Sequence, residues 1–220
     1  MSADRPQLAV RPMSSDLLGE AARLLARAFA DDPVLSYYFR PGWRRMPAFR
    51  AFFRAALWEG LPAGQTYAAT SGGRLVGVAL WLPPAARRPS RWARARSMVA
   101  LLPLRLMFPH AARALFAGFH ALESHHPHEP HWYLAFVGIE PSQQGRGIGR
   151  RLLAPVLDEA DRNADGCYLE TPFPATHSFY RSLGFTELAE LHPFAGAPPV
   201  TSFVRRPGDS PTTRTAESGR

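Results

Sequence analysis

The stretch that decides the fold lies at residues 137–153 and reads VGIEPSQQGRGIGRRLL. An apolar strand ends near Ile139, a turn follows, and Gly145, Gly147 and Gly149 open an amphipathic helix. Glycine lets the backbone approach an anion closely, and the free N–H groups at a helix start can donate to that anion. The segment therefore predicts a site for phosphate groups at the beginning of a helix.

Two other phosphate-binding patterns fit this stretch poorly. The Walker pattern needs a Gly-Lys-Ser/Thr sequence, and all 26 basic residues of the chain are arginine. The dinucleotide pattern needs a third glycine three positions after the second, where this chain has Arg150. A surface turn that precedes a helix and binds nothing is the remaining alternative.

Working outward from this stretch, apolar runs predict strands and apolar residues at helical spacing predict helices. We expect strands at residues 8–11, 67–70, 75–81, 132–139, 167–171, 185–190 and 200–205. We expect helices from Ser14 or Ser15 to a stop at 31–33, at 47–58, within 91–122, at 147–162 and at 177–182. Strands and helices interleaved in this way indicate an α/β (α+β) fold.

Length and composition limit the organisation of the chain. Its 220 residues, 46% of them hydrophobic, fit a single domain over residues 1–206 with a helical insert at about 83–128. Residues 207–220 are rich in Pro, Ser, Thr and Gly, which predicts a disordered tail. The single cysteine, Cys167, lies in an apolar strand, so we expect a buried thiol in a reducing compartment. Without an apolar stretch long enough to span a bilayer, we expect a cytoplasmic protein with no membrane partner.

The net charge of +8 raises the question of a nucleic-acid partner. The arginines are spread along the whole chain, which argues against a dedicated nucleic-acid surface. A denser run at residues 87–96 is typical of a solvated helix face. The charge would also suit a polyanionic small molecule.

Residues 144–149 match the acetyl-CoA motif Gln/Arg-x-x-Gly-x-Gly/Ala, and so the chain resembles the GNAT acetyltransferases. The likeness extends over HEPHWYL at 128–134, YLET at 168–171 and FYRSLGF at 179–185. These segments are similar to the branch of the family that includes puromycin N-acetyltransferase. The resemblance implies a mixed, mostly antiparallel central sheet, splayed between two strands and flanked by helices on both faces.

The resemblance also implies which residues contact acetyl-CoA. The pantetheine arm would pair with the backbone near Val137 and Ile139, inside the gap of the splayed sheet. Many family members have an asparagine where this chain has Thr176, a departure that puts that contact in doubt. The implied cofactor-binding residues are Val137, Gly138, Ile139, Gln144, Gly145, Arg146, Gly147, Ile148, Gly149, Arg150 and Thr176.

Acetyl transfer to an amine needs a group that removes a proton from nitrogen and a group that protonates the departing thiolate. By resemblance, Tyr180 is the general acid; the alternative is a core aromatic residue beside Phe179 and Phe185. Glu170, on a strand beside the predicted gap, is the candidate base, and Glu129 is the second choice. Either carboxylate could instead form a structural ion pair with an arginine.

The histidines at 120, 125, 126, 128 and 131 raise the alternative of a metal site. No cysteine or carboxylate frame of the kind seen in zinc sites accompanies them, so we expect a solvated or substrate-lining loop and no metal.

We therefore predict an enzyme that transfers acetyl from acetyl-CoA to a primary amine of a small molecule, as a monomer or homodimer. A protein or peptide N-acetyltransferase is the first alternative, and a nonenzymatic acyl-CoA or nucleic-acid binding module is the second. Acidic and aromatic residues are expected to line the acceptor pocket, namely Asp31, Asp32, Trp58, Glu129 and Tyr133.

Overall fold

A seven-stranded sheet forms the centre of the computed structural model, which describes residues 7–39, 41–63, 65–84, 102, 106, 108–193 and 196–209. The strands are β1 Leu8–Pro12, β2 Thr66–Ser71, β3 Arg74–Leu82, β4 His131–Ile139, β5 Gly166–Thr171, β6 Thr186–Leu191 and β7 Val200–Arg205. Their spatial order is β1-β2-β3-β4-β5-β7-β6. Only the β4–β5 pair is parallel, so the sheet is mixed and mostly antiparallel, as predicted.

Helices cover both faces of this sheet. They are α1 Leu18–Ala28, α2 Pro33–Tyr38, α3 Arg45–Gly60, α4 Pro109–Glu123, α5 Ile148–Asn163 and α6 His177–Arg181. Successive side chains of a strand point to opposite faces, so β3 serves two cores. Val78 and Leu80 join the core under α1 and α3, whereas Ala79 and Trp81 join the core under α5. The predicted fold class is confirmed.

As to secondary structure, the segment at residues 31–33 was predicted to end a helix, and that prediction was incomplete. It ends α1, but it also begins α2: the Asp32 carboxylate accepts a hydrogen bond of 2.7 Å from the backbone N–H of Leu35. Pro33 occupies the first helical position, where a missing N–H costs nothing. The Asp-Pro pair is a helix-start signal that the sequence contained.

Part of the predicted insert lies outside the described residues. Within the insert predicted at about 83–128, the structure describes α4 at residues 109–123. Most of residues 85–107, including the arginine run at 87–96, lie outside the described residues. In the predicted tail only residues 207–209 are described. Among the described residues, no helix combines the length and apolar character needed to cross a bilayer.

Candidate active site

The two parallel strands at the centre of the sheet pair over only part of their length. The register runs from His131 opposite Gly166 to Tyr133 opposite Tyr168, and no later pair joins β4 to β5. Against β3, the register of β4 shifts by one residue at Ala135, which is a β-bulge. Because a bulge bends its strand, β4 turns away from β5 just after the last pair. The separation of two strands that the family resemblance implied is present.

A cavity of about 680 Å³ occupies the gap between these strands. Its walls are β4 from Leu134 to Ile139, the turn from Gln143 to Gly149, and β5 with the following turn from Leu169 to Thr176. Ala28 and Phe29 close it on the α1 side, and Phe179 and Tyr180 close it on the α6 side. Nine of the eleven predicted cofactor-binding residues line this cavity; Arg146 and Arg150 do not.

The glycine turn has the geometry of an anion site. Gly145 has φ 74° and Gly147 has φ 76°, in the left-handed region that favours glycine. A Cβ built at either position meets no atom within 4 Å, so both face open space. At Gly149 a Cβ would come within 3.2 Å of the Phe179 ring, so this glycine allows α5 to pack against α6. Gln144 steadies the turn through a 3.2 Å hydrogen bond from Nε2 to the carbonyl oxygen of Ile139.

Two arginines near the start of α5 tie elements of the fold together and do not line the cavity. Arg150 donates to Oγ and to the carbonyl oxygen of Ser182, at 2.7 and 3.2 Å, which ties α5 to the end of α6. Arg151 donates to the Leu8 carbonyl oxygen at 2.8 Å. Arg146 is exposed.

Thr176 lines the cavity, but its hydroxyl is engaged locally. Oγ1 donates to the carbonyl oxygen of Phe173 at 2.8 Å and lies 3.0 Å from Oγ1 of Thr171. These bonds shape the turn between β5 and α6. An asparagine at this position would have a longer polar side chain to extend toward the cavity.

Gly138 allows α1 to approach β4 closely. A Cβ at this position would lie 2.6 Å from Cδ2 of Leu25 and 3.0 Å from Cβ of Ala28. The end of α1 is further held by Arg27, whose Nη2 lies 2.6 Å from Oε2 of Glu140. The hydrogen bond to Glu140 is the main cause that raises the pKa of Arg27. One wall of the cavity is therefore fixed to the end of β4.

Tyr180 is the predicted acid, and its side chain is buried, with 6% of the residue exposed. It packs with Phe185 and Phe203, at centroid distances of 6.1 and 5.8 Å, and it also lines the cavity. Burial raises the pKa of Tyr180, because the phenolate would lose its hydration. The hydroxyl therefore remains protonated at neutral pH, as a proton donor must.

Glu170 reaches the same cavity from the other face of the sheet. Its neighbour Leu169 belongs to the core that contains Tyr180, and alternation along β5 turns Glu170 to the opposite face. Oε1 of Glu170 lies 3.2 Å from Nε2 of His126, with side chains 5% and 7% exposed. The candidate acid and the candidate base thus approach the gap from opposite sides.

His126 and His131 continue this contact away from the cavity. Nδ1 of His126 lies 3.3 Å from Nε2 of His131, and Nδ1 of His131 lies 2.8 Å from the carbonyl oxygen of Glu129. The ring of His126 contacts those of Tyr133 and Tyr168, with a centroid distance of 4.5 Å to each. Burial is the first cause that raises the pKa of Tyr133 well above its usual value, followed by the charge of Glu170 and a hydrogen bond to it.

This histidine pair was missed by the sequence analysis, which treated the five histidines as one solvated or substrate-lining loop. Period-two alternation with Tyr133 could have predicted that His131 lies on the same face of β4. Nothing local predicted the burial of His126. The other histidines with described side chains in this segment, at 120, 125 and 128, are exposed. No group of three or more His, Cys, Asp or Glu side chains among the described residues is arranged to hold a metal ion.

The five residues predicted for the acceptor pocket do not line this cavity. Asp32 caps α2, and burial raises its pKa to about 6. Trp58 is 47% exposed on α3, and Asp31 and Glu129 are exposed as well. Tyr133, whose pKa is raised by burial and then by the charge of Glu170, lies near that carboxylate but does not line the cavity.

Comparison with known proteins agrees with this geometry. The model of the acetyltransferase (GNAT) family matches residues 27–185, and the chain belongs to that family. N-alpha-acetyltransferase RimI of Mycobacterium tuberculosis is 45% identical over 49 residues, which are 22% of this chain and 31% of that protein. The chain thus matches less than a third of the length of its curated relatives.

Solved structures share the fold over nearly the whole chain. A structure from Corynebacterium glutamicum, described as histone acetyltransferase HPA2 and related acetyltransferase, has a TM-score of 0.66 at 23% identity, covering 92% of this chain and 97% of that one. Arylalkylamine N-acetyltransferase 2 of Aedes aegypti has a TM-score of 0.64 at 14% identity, covering 91% and 99%. At these identities the likeness concerns the fold.

Proposed function

We propose that the protein is an acetyl-CoA-dependent N-acetyltransferase that acetylates a primary amine of a small molecule. The observation that carries the proposal is the cavity between β4 and β5, bounded at one end by a turn with two left-handed glycines open to it. An elongated molecule with an internal diphosphate matches this combination of a gap between strands and a bare backbone turn at a helix start.

The residues present fit acetyl-CoA. The backbone N–H groups around Gly145, Gly147 and Ile148 would hold the pyrophosphate, and the edge of β4 at Val137 and Ile139 would hold the pantetheine arm. Gly138 and Gly149 keep the adjoining helices close, as their tight surroundings indicate. When bound, acetyl-CoA supplies a thioester whose acetyl group is transferred. Arg146 would act through its positive field, and the ties of Arg150 and Thr176 limit both to indirect roles.

Two side chains of the cavity can move the protons that the reaction requires. Tyr180 holds a protonated hydroxyl in an apolar wall and would donate that proton to the departing sulfur. Glu170 would take a proton from the acceptor nitrogen on the opposite side of the gap. A desolvated thiolate is also a stronger base, as burial raising the pKa of the Cys167 thiol to about 12 illustrates. Burial raises the pKa of Tyr180 in the same direction, so the proton donor and the thiolate stay close in basicity inside the cavity.

The acceptor class rests on resemblance to proteins whose acceptors are amines. The segments at 128–134, 168–171 and 179–185 are similar to those of the puromycin N-acetyltransferase branch, which favours an amino-nucleoside or amino-acid-like amine. Acetylation of a peptide N-terminus is the second candidate, because the curated relative at 45% identity is an N-alpha-acetyltransferase. Cytoplasmic location and a monomeric or dimeric state stay predictions.

The test is a turnover assay with a defined panel of acceptors. Acetyl-CoA would be incubated with the protein and puromycin, tryptamine, spermidine, agmatine or a peptide with a free N-terminal alanine, and thiol release would be followed. We expect turnover with at least one of the small amines and a higher melting temperature in acetyl-CoA. Turnover confined to the peptide would replace the small-molecule acceptor by a protein. A melting temperature raised by acetyl-CoA without any turnover would indicate a nonenzymatic acyl-CoA binding module.

A further inference from the structure

Three contacts in series lead from the cavity wall into the protein. They run from Glu170 to His126 at 3.2 Å, from His126 to His131 at 3.3 Å, and from His131 to the Glu129 carbonyl oxygen at 2.8 Å. The side chains of Glu170 and His126 are more than nine-tenths buried, and so is His131. Within the described part of the chain, His126 is the basic side chain at ion-pair distance from Glu170.

The contact between His131 and the Glu129 carbonyl oxygen determines where the protons of the other two contacts lie. A carbonyl oxygen only accepts, so Nδ1 of His131 must carry a proton, and Nε2 of a neutral His131 is then an acceptor. His126 must donate to that acceptor from Nδ1, which leaves Nε2 of a neutral His126 without a proton. This bare nitrogen faces the carboxylate of Glu170, and two lone pairs repel. Oε1 of Glu170 is buried and makes no hydrogen bond to any residue that the structure describes, and the contact with His126 becomes a hydrogen bond only when one additional proton lies between the two groups.

From this count we propose that His126 is a positioning residue through which Glu170 works as the base, with the pair holding the proton removed from the acceptor amine. The inference rests on the proposed acetyltransferase function. A carboxylate alone would hold a proton weakly at neutral pH. Between Glu170 and His126 the same proton completes the hydrogen bonds, and this stabilises the protonated state of the pair.

The groups around the pair suit this role. The ring of His126 contacts Tyr133 and His131 of β4 and Tyr168 of β5. The charge of Glu123, at the end of α4, also contributes to raising the pKa of Tyr133. Burial first, and the charge of Glu170 second, raise the pKa values of Tyr133 and Tyr168, so both stay neutral over the working pH range. Glu170 and His126 are therefore left to exchange the proton with the substrate.

The proton balance is as follows. The acceptor ammonium loses two protons as nitrogen forms its bond to the acetyl carbon and the carbon–sulfur bond breaks. Glu170 takes one of them and passes it to Nε2 of His126, which later releases it to solvent. Tyr180 donates its hydroxyl proton to the departing sulfur, and the second proton from nitrogen restores that hydroxyl. One proton is released for each acetyl group transferred.

The decisive variant is His126→Gln. The glutamine amide can still donate a hydrogen bond to Glu170, but it cannot take up a proton. We expect unchanged folding and KM values within about threefold for acetyl-CoA and for the fastest small amine of the panel. We expect kcat to fall at least tenfold near pH 7, since general acid–base catalysis contributes about 10²–10⁴-fold. The deficit should shrink toward pH 10, because an alkyl ammonium loses its own proton there. His128→Gln, in the same loop and exposed, is the control and should match wild type.

A second readout needs neither substrate. The histidine rings of the wild-type protein and of Glu170→Gln would be titrated by NMR. One ring should have a different titration curve in the two proteins, because His126 and Glu170 share a proton. Unmoved curves would overturn the proposal even if His126→Gln failed to fold. So would a His126→Gln enzyme with wild-type kcat and pH profile, since glutamine would then suffice. A wild-type protein that acetylates no amine would instead sink the proposed function and leave the shared proton to the NMR result alone.

Discussion

Tyr133 on β4 and Tyr168 on β5 form the last residue pair before the two central strands separate, with ring centroids 6.2 Å apart. The bulge at Ala135 follows two residues later and bends β4 out of the ladder. Backbone groups of both strands beyond this point have no partner across the gap. The cavity is therefore a consequence of strand geometry, and its polar edge is backbone.

A side chain at Gly147 should block the anion site. Gly147→Ala is expected to weaken acetyl-CoA binding at least tenfold, about 1.4 kcal/mol, because the new Cβ projects into the open space of the turn. Isothermal calorimetry would measure the affinity.

The chain offers a matched control for this variant. Gly73, in the β2–β3 hairpin, has φ 75° against 76° at Gly147, and a Cβ there also meets no atom within 4 Å. Gly73→Ala should therefore cost the same backbone strain, about 1 kcal/mol, without changing affinity. If the two folded variants bound acetyl-CoA with equal affinity, the assignment of the pyrophosphate to this turn would be wrong.

Removing the Tyr180 hydroxyl should separate catalysis from packing. Tyr180→Phe keeps the ring among Phe185 and Phe203, so the melting temperature should change little. Turnover should fall by about 10²–10⁴-fold if the hydroxyl protonates the departing sulfur. Tyr67→Phe, at a half-buried tyrosine on β2 outside the cavity lining, is the control. A Tyr180→Phe enzyme that keeps more than about a third of wild-type turnover, with chemistry rate-limiting, would make Tyr180 a packing residue.

Close packing of α1 on β4 should make Gly138 sensitive to a single methyl group. Gly138→Ala places a Cβ 2.6 Å from Leu25 and should destabilise the fold by about 1–3 kcal/mol, measured by urea unfolding. Gly166→Ala is the matched strand control, since its nearest atoms lie at 3.6 and 3.7 Å, an ordinary contact. If both substitutions changed stability equally, crowding by α1 would not be the cause.

Stability should depend on pH through Asp32, whose pKa burial raises to about 6. A folded-state pKa above the unfolded value means that the native state binds the proton more tightly between about pH 4 and pH 6. The contribution of Asp32 is therefore fully present below about pH 4 and is lost as pH rises to about 6. Asp32→Asn keeps an oxygen that can cap α2 but does not titrate.

The comparison of these two proteins isolates this carboxyl group. The free energy of unfolding of Asp32→Asn minus that of the wild type should increase by about 2 kcal/mol between pH 4 and pH 6.5. Urea titrations across this range would measure it. A difference that does not vary with pH would show that Asp32 titrates at its ordinary value.

Much of the fold was predictable because its signals are local. Alternation and apolar runs placed all seven strands to within about two residues. The glycines at 145, 147 and 149, which follow the apolar run that ends near Ile139, predicted a bare turn and the start of a helix. Turn glycines and strand periodicity act over a few residues, so they are legible in the chain itself. The Asp-Pro start of α2 was equally local and was overlooked.

The surroundings of the site were decided by tertiary structure. Arg150 has the charge expected of a phosphate contact, but the packing of α5 against α6 directs it to Ser182. Asp32 has the charge expected of an acceptor pocket, but it caps a helix instead. Residue type limits what a side chain can do, while its partners depend on which elements meet.

The sequence by itself predicted the strands and the bare glycine turn, and its resemblance to the GNAT acetyltransferases implied the splayed sheet with Glu170 and Tyr180 beside the gap. Only the tertiary structure decided that these two approach from opposite faces and that His126 is buried against Glu170. The two partners are 44 positions apart in the chain, and they meet because the loop before β4 folds over the β4–β5 ladder. Contacts between distant segments depend on the packing of whole elements, which no local pattern of residues encodes.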